Sequence, residues 1–488
     1  MESNVVIGRN QETKDLWRCY NSTRSEFVIL YGRRRIGKTY LVYQTFKDKL
    51  SFYFTGSHKS PETRQLQVFA NQLKKYGHLD YTPAISNWYD AFDMLQQMLE
   101  SQPQESRKLI FIDEMPWIDT YRSDFVAALE DFWNMWAAQR SDICMIACGS
   151  STSWMVNKLV KNQGGLHNRI TSTIYLRPFN LNETEEYLRH INCTWDRYTI
   201  LQCYMCFGGV PFYLSLLEPS ESLAQNIDIL FFKKGAKLKD EFNELYDVLF
   251  NMSENYKNIV RALSMRREGL TRDELIKQTN IEGGTLTNAL YNLENSDFII
   301  SFKQFGMKKK GTIYRLTDFF TFFYFKFIEN NNSKDPHFWE KNCNSPTVLS
   351  WQGFTFELIC LTHLEQIKQA IGVSGISTEA SSWRSNDKNL PEEIRQDQKE
   401  KTQIDLLISR ADRIINICEI KFSTAEYSIS KEYEAKMRRK LSIFQSQTGT
   451  KNGLVMTFIT TYGVLPNIHS GIVQKQVTMD DLFRKEEW

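Results

Sequence analysis

The sequence predicts an α/β protein: two sheet-containing domains joined by a mainly helical middle. Three observations predict it. The first ~175 residues alternate apolar, strand-like runs with amphipathic stretches, the pattern of a parallel sheet covered by helices. From Asn182 to about residue 330 the apolar spacing is helical, apart from one pair of short strand-like runs. From about residue 345 a second strand and helix alternation begins. At 488 residues the chain exceeds one ordinary core, and these shifts place domains at 1–180, 181–248, 249–330 and 345–488.

The elements follow in order. Strands are expected at Phe27–Tyr31, Leu50–Phe54, Lys108–Ile112, Ile143–Cys148 and Thr173–Leu176, with helices over Tyr40–Phe46, Pro61–Tyr76, Trp88–Glu100 and Ser123–Gln139. Asn182-Glu183-Thr184-Glu185 reads as an N-cap followed by an acid in the first turn. A second helix pair surrounds Gly208-Gly209-Val210-Pro211. Over 250–315 the order is helix, helix-turn-helix, hairpin: Thr271 caps one helix, Gly283-Gly284-Thr285 opens the next, and Phe298–Phe302 pairs with Thr312–Leu316. That is a winged-helix pattern, which either reads DNA or extends a lid. The aromatic run Phe319–Phe327 is too short to span a bilayer and contains Lys326, so it reads as core between domains. The last unit comprises a helix Gly353–Gln369, a charged loop over 384–402, two strands around 403–422, a basic helix Ser430–Gln445 and a strand Leu454–Phe458.

Composition excludes several classes. Apolar residues make up 42% of the chain and the net charge is +2, so the chain is neither globally disordered nor a polycation. Contact with nucleic acid would have to come from local patches. No apolar run is long enough to cross a membrane, and MESNVVIGRNQE lacks a basic-then-apolar signal. Nine scattered cysteines fit a reducing compartment. A cytoplasmic protein without membrane partners is expected.

The strongest motif is Gly32-Arg33-Arg34-Arg35-Ile36-Gly37-Lys38-Thr39, set between an apolar strand and a helix that opens at Tyr40. The glycines allow a tight turn whose N–H groups point at phosphate; the Lys38 charge suits the β/γ oxygens, and the Thr39 hydroxyl suits Mg²⁺. The helix start adds its positive dipole end. Lys108-Leu-Ile-Phe-Ile-Asp113-Glu114 supplies the complementary buried strand ending in two acids. Asp113 suits the Mg²⁺ shell, and Glu114 suits orienting and deprotonating a water. Ser150, at the end of the strand CMIACGS, is placed to sense the γ-phosphate through that water or through Glu114, or simply to form a turn. Arg169 is a candidate phosphate contact in cis, a finger toward a second copy of the chain, or a plain surface arginine. Ile7-Gly8-Arg9 precedes the first strand and is a candidate base contact. The expected cofactors are ATP and Mg²⁺.

Ile7-Gly8-Arg9, Glu12, GRRRIGKT, IDEMPW, CGSS, Arg177-Pro178-Phe179 and GGVPFYL together resemble the archaeal-type ATPase family, in the AAA+/STAND branch of P-loop NTPases. The resemblance covers roughly residues 1 to 330, including the aromatic segment from Tyr314 to Phe327. It implies a RecA-like core, a helical lid and a winged helix, with the GGVP segment and its Pro211 in the lid near nucleotide.

A second constellation lies near the end. Gln403-Ile404-Asp405 and Cys418-Glu419-Ile420-Lys421 fall on two runs that read as a β-hairpin, with Glu419 and Lys421 on one face. Two carboxylates, Asp405 and Glu419, that can hold Mg²⁺ beside a lysine form a phosphodiester-cleavage pattern. This resembles the PD-(D/E)XK nucleases, with Glu357 on the preceding helix matching the acid often contributed there, and implies a restriction-endonuclease-like fold acting on DNA. The basic helix with Lys436, Arg438, Arg439 and Lys440 suits backbone phosphate. A plain amphipathic hairpin, or a domain that binds DNA or protein without cutting, is the alternative. His190, Cys193, Cys203 and Cys206 have loose zinc spacing but sit among core residues, so buried free thiols are favoured.

Overall fold

The run Glu26–Tyr31 (β1) is buried on both faces until Tyr31, which explains why its sequence is continuously apolar rather than alternating. It lies in a parallel sheet with β2 (Leu50–Thr55), β3 (Lys108–Asp113), β4 (Ile143–Gly149) and β5 (Ser172–Tyr175), in the order β2-β3-β4-β1-β5. Side chains two apart share a face. Phe27 and Ile29 therefore pack with Trp88, Phe92 and Leu129 of the helices Trp88–Glu100 and Phe125–Met135. Val28 and Leu30 pack on the other side with Leu16 and Leu41, from Asn10–Tyr20 and Lys38–Phe46.

This computed structural model describes residues 6–103, 106–121, 123–161, 165–166, 168–250, 252–307, 311–385 and 402–486. Most of the expected 384–402 loop, together with Gly164 and His167 near Arg169, lies outside the described residues. The chain forms two compact units, Met1–Pro178 with Val210–Tyr213, and Phe179–Gly209 with Leu214–Trp488. The parallel sheet belongs to the first.

The second unit begins with helices. Its first, Leu181–His190, is capped by Asn180 and not by Asn182: the Asn180 side chain accepts from Glu183 N–H while Glu183 reaches back to the Asn180 N–H. The cap sits two residues earlier than the sequence suggested, because Glu183 is the acid that completes the box. Next comes a small antiparallel sheet of β6 (Leu270–Thr271), β7 (Ile299–Phe302) and β8 (Ile313–Leu316), in the order β6-β8-β7, with helices Ser253–Ser264, Arg272–Thr279 and Gly283–Asn295. Thr271 caps the second of these helices in a box with Glu274.

The aromatic run forms Phe319–Phe323 and a wider π turn, Tyr324–Ile328. Phe323 packs within 5.0 Å of both Phe231 and Trp339, and Tyr324 stacks on Phe242 at 4.3 Å. No helix among the described residues is long and apolar enough to cross a membrane.

The last layer is a five-stranded sheet, β13-β12-β11-β10-β9, built from β9 (Thr378–Arg384), β10 (Gln403–Arg410), β11 (Ile414–Lys421), β12 (Gly453–Thr460) and β13 (Lys475–Thr478). β9, β10 and β11 run antiparallel, and β11, β12 and β13 parallel. The single helix expected over Gly353–Gln369 is two, Pro346–Thr362 and Leu364–Ile371, broken at His363. The break has a physical reason: His363 Nδ1 donates to Ile359 O at 2.9 Å, and its Nε2 accepts the Leu181 N–H at 3.0 Å.

Candidate functional site

The strand order brings the phosphate-loop motif and the acidic strand end together. β4 lies between β1 and β3, so the residue after β4 can reach both. That residue is Ser150. Lys38 Nζ donates to Ser150 Oγ at 3.1 Å, and Ser150 Oγ donates to Glu114 Oε1 at 2.5 Å. The Ser150 N–H reaches Glu114 Oε2 at 3.2 Å. Lys38 also donates to Gly32 O and Arg33 O, at 2.9 and 2.8 Å. Thr39 Oγ1 donates to Asp113 Oδ2 at 2.6 Å. A hydroxyl and a carboxylate oxygen side by side match the oxygen donors Mg²⁺ prefers, so Thr39 and Asp113 fit that ion.

The backbone makes these positions. Gly32 has φ +150°, and a Cβ there would stand 2.2 Å from Leu176 O; Gly37 has φ +85° as it turns into the helix. Glu114 itself is left-handed at φ 49°, a conformation that costs a non-glycine residue free energy. Burial raises its pKa; Lys38 opposes this, Asp113 adds to it, and the Ser150 hydrogen bonds favour the charged form. Arg35 lies 4.1 Å over the Phe212 ring, and its carbonyl accepts the Phe212 N–H at 3.2 Å, so the Val210–Tyr213 segment with Pro211 is folded against the loop that carries Arg33, Arg34, Arg35 and Ile36. Ile7, Gly8 and Arg9 lead into the first helix; Arg9 is buried and donates to Arg177 O at 2.7 Å. Tyr40 is exposed on the following helix. Arg169 is exposed, and among the described residues its side chain makes no hydrogen bond or ion pair with the phosphate loop.

At the other end, Leu406 of β10 faces Cys418 of β11, so Asp405 and Glu419 occupy adjoining positions one residue further on each strand. The register against β9 shifts between Ile404 and Leu407, an irregularity that spans Asp405 and Leu406. Glu419 is surrounded by donors: Lys440 Nζ at 2.7 Å, Lys421 Nζ at 2.9 Å, and the Tyr433 hydroxyl. Burial raises its pKa, but Lys440, Lys421 and Tyr433 outweigh that and hold it well below the carboxylate range. Glu357 is buried and gripped by Arg267, with Nε 3.1 Å from Oε2 and a second, shorter contact at Oε1. Burial and the nearby Asp405 push the Glu357 pKa upward, against the pull of Arg267. Asp405 accepts from Arg315 at 3.2 Å and from Gln403 Nε2 at 2.6 Å.

The sequence did not reveal Arg267, Arg315 or Tyr433 in this cluster. Tyr433 and Lys440, seven apart on the helix Lys431–Thr448, share a face, and that spacing was the available signal. Glu357, Asp405 and Glu419 do not bring one oxygen each within 4.8 Å of the other two. Among the described residues the set whose ligand atoms all lie within 4.8 Å is Asp228, His337 and Glu340, where both Asp228 oxygens accept helix N–H groups, from Trp339 at 2.7 Å and Glu340 at 3.0 Å. His190 is exposed while Cys193, Cys203 and Cys206 are buried, with thiols pushed up by burial, so that spacing assembles no zinc set.

Comparison with known proteins bears on the first site. A family model describing an ATPase domain predominantly from Archaea matches residues 7–217. The chain is similar to an uncharacterized protein of Methanocaldococcus jannaschii, at 24% identity over 332 residues, 67% of this chain and 70% of that protein. An uncharacterized ATP-binding protein of the same organism is 40% identical over 45 residues, 9% of this chain and 76% of the relative. Among solved structures, a Walker-type ATPase of Pyrococcus abyssi is similar with a TM-score of 0.49 and 17% identity, over 66% of this chain and 96% of that one. With the phosphate loop, the acidic strand and a matching family model on the same segment, residues 7–217 form a P-loop ATPase domain.

Proposed function

We propose that the chain is an ATP-driven switch whose C-terminal unit is a Mg²⁺-dependent, DNA-acting nuclease-like domain of the PD-(D/E)XK type. The observation that carries the ATPase half is the relay Lys38–Ser150–Glu114 beside the Thr39–Asp113 pair. Lys38 and the loop N–H groups would hold the polyphosphate. Thr39 and Asp113 would hold Mg²⁺, which spreads charge on the transferring phosphoryl group. Glu114, whose pKa burial raises against the pull of Lys38 and of the Ser150 hydrogen bonds, would take the proton of the attacking water.

The nuclease reading rests on Asp405, Glu419 and Lys421 on one β-hairpin with Glu357 buried nearby. The β6–β8 sheet with its three helices supports a winged-helix reading, and the helical stretch from Leu181 a lid reading. The test is cleavage of plasmid and duplex oligonucleotide by wild type, Lys38→Ala and Asp405→Ala, with and without ATP. Mg²⁺-dependent cutting lost in Asp405→Ala is expected; cutting that survives in Asp405→Ala and Lys421→Ala removes the site.

One observation favours a second reading, a module that binds DNA or protein without cutting: each acid already has a side-chain cation against it. Arg169 is exposed, as either a finger toward a second copy or a plain surface arginine would be, and the finger reading has a test. ATP turnover per subunit should then rise with protein concentration, and concentration-independent turnover in both wild type and Arg169→Ala would end that idea.

A further inference from the structure

Two of the cations on the C-terminal acids come from elsewhere in the chain. Arg267 lies between the helix Ser253–Ser264 and β6, and Arg315 lies in β8, each 90 residues before its acid. Arg267 forks onto Glu357, and Arg315, only 4% exposed, reaches Asp405. The same small sheet is docked at a second place. After β7, Phe305 donates its N–H to Ser382 O at 2.8 Å, and its ring packs 5.2 Å from Phe444, against β9 and the helix Lys431–Thr448. Arg384 of β9 donates to Glu268 O at 2.7 Å.

A shared divalent cation needs converging oxygen lone pairs at about 2.0–2.6 Å from one point. Here both Glu357 oxygens and Asp405 Oδ1 face guanidinium N–H groups instead, and among the described residues the three acids do not bring a ligand atom each within 4.8 Å of one another. The cluster as arranged does not fit a metal ion. It fits arginine, whose planar fork matches a carboxylate and cannot lose its charge.

We propose that Arg267 and Arg315 form an internal counter-ion lock, occupying the place of a divalent cation on Glu357 and Asp405 until the 253–316 segment undocks. Consequences for cutting rest on the nuclease reading; the lock itself does not. The lock requires that loosening the segment, either at the arginine or at its remote anchor, exposes the same acids.

The test titrates Mn²⁺ into the nucleotide-free full chain by calorimetry, for wild type, Arg267→Gln, Phe305→Asp, and each of these combined with Asp405→Asn. Circular dichroism checks folding, and Phe305→Asp covers the case in which Arg267→Gln alone destabilises the cluster. The expected result is Mn²⁺ affinity at least tenfold tighter in both single variants, lost again when Asp405→Asn is added. Equal affinity in wild type and both folded variants overturns the lock. Cleavage of a duplex oligonucleotide separates the two ideas. Variants that bind Mn²⁺ tightly but do not cut keep the lock and remove the nuclease reading. A wild type that cuts as fast as the variants keeps the nuclease reading and removes the lock.

Discussion

Ser150 is the residue on which the phosphate site turns, because a single hydroxyl touches both the lysine and the acid. Removing Glu114's carboxylate charge while keeping its shape isolates the proton transfer. Glu114→Gln should retain nucleotide binding and lower kcat about 10²–10⁴-fold, the range of general acid–base catalysis. Ser150→Ala should lower kcat by a smaller factor with nucleotide Kd nearly unchanged; a loss of binding instead would mean Ser150 shapes the loop. Gly32→Ala should lose nucleotide binding and fold poorly, since its Cβ would meet Leu176 O at 2.2 Å at φ +150°. Limited proteolysis and nucleotide binding by fluorescence check it. The residues of this site were legible because backbone geometry dictates them: only glycine fits the turn, and the acids end a buried strand. Ser150 was legible as a neighbour of Glu114 but not as a partner of Lys38, since bridging the two depends on β4 lying between β1 and β3. Arg267 and Arg315 were not legible at all. Their partners lie 90 residues away, and nothing local in an arginine announces which acid it meets.

Elements were read best where periodicity is strong. Three strands are missing from the sequence reading: β6 is only two residues long, and β9 and β13 are both edges of the C-terminal sheet, where TEASSWR and KQVT carry polar side chains and little alternation. The break at His363 has no glycine or proline to signal it. Its cause is a tertiary hydrogen bond, and that gives the element a pH signature. Burial pulls the His363 pKa down to about 4, with the bond to Ile359 O opposing, while the unfolded chain titrates near the ordinary value of about 6.5. Between those values the unfolded state binds more protons, so stability falls as pH drops from about 6.5 toward 4 and is flat above. The limit is roughly 3 kcal/mol, from 1.36 kcal/mol per unit. Urea unfolding across that window should show the slope in wild type and a shallower one in His363→Gln; identical slopes would place the titration elsewhere. The Asn180 box offers a simpler check. Asn180→Ala should cost about 1 kcal/mol in the same assay.

At the scale of the molecule, the division into two units was not readable from composition, because the chain enters the first unit, leaves it, and returns for four residues, Val210–Tyr213. That return bears on the proposed switch. The segment holds Arg35 through the Phe212 ring and N–H, three residues before Lys38, and both its ends continue into the second unit. The proposed switch then predicts that a nucleotide ordering the phosphate loop is felt at the two points where the chain passes into the second unit. Bound at 100 times its Kd, a ligand adds about 2.7 kcal/mol to whatever folds with it. In calorimetric melting, a slowly hydrolysed ATP analogue with Mg²⁺ should stabilise the ATPase unit by about that free energy and so raise its transition temperature. If the tether transmits, the second unit's transition also shifts, in wild type but not in Lys38→Ala, and Phe212→Ala should reduce that second shift while leaving the first. A second transition indifferent to nucleotide would leave the ATPase domain standing and take away the switch.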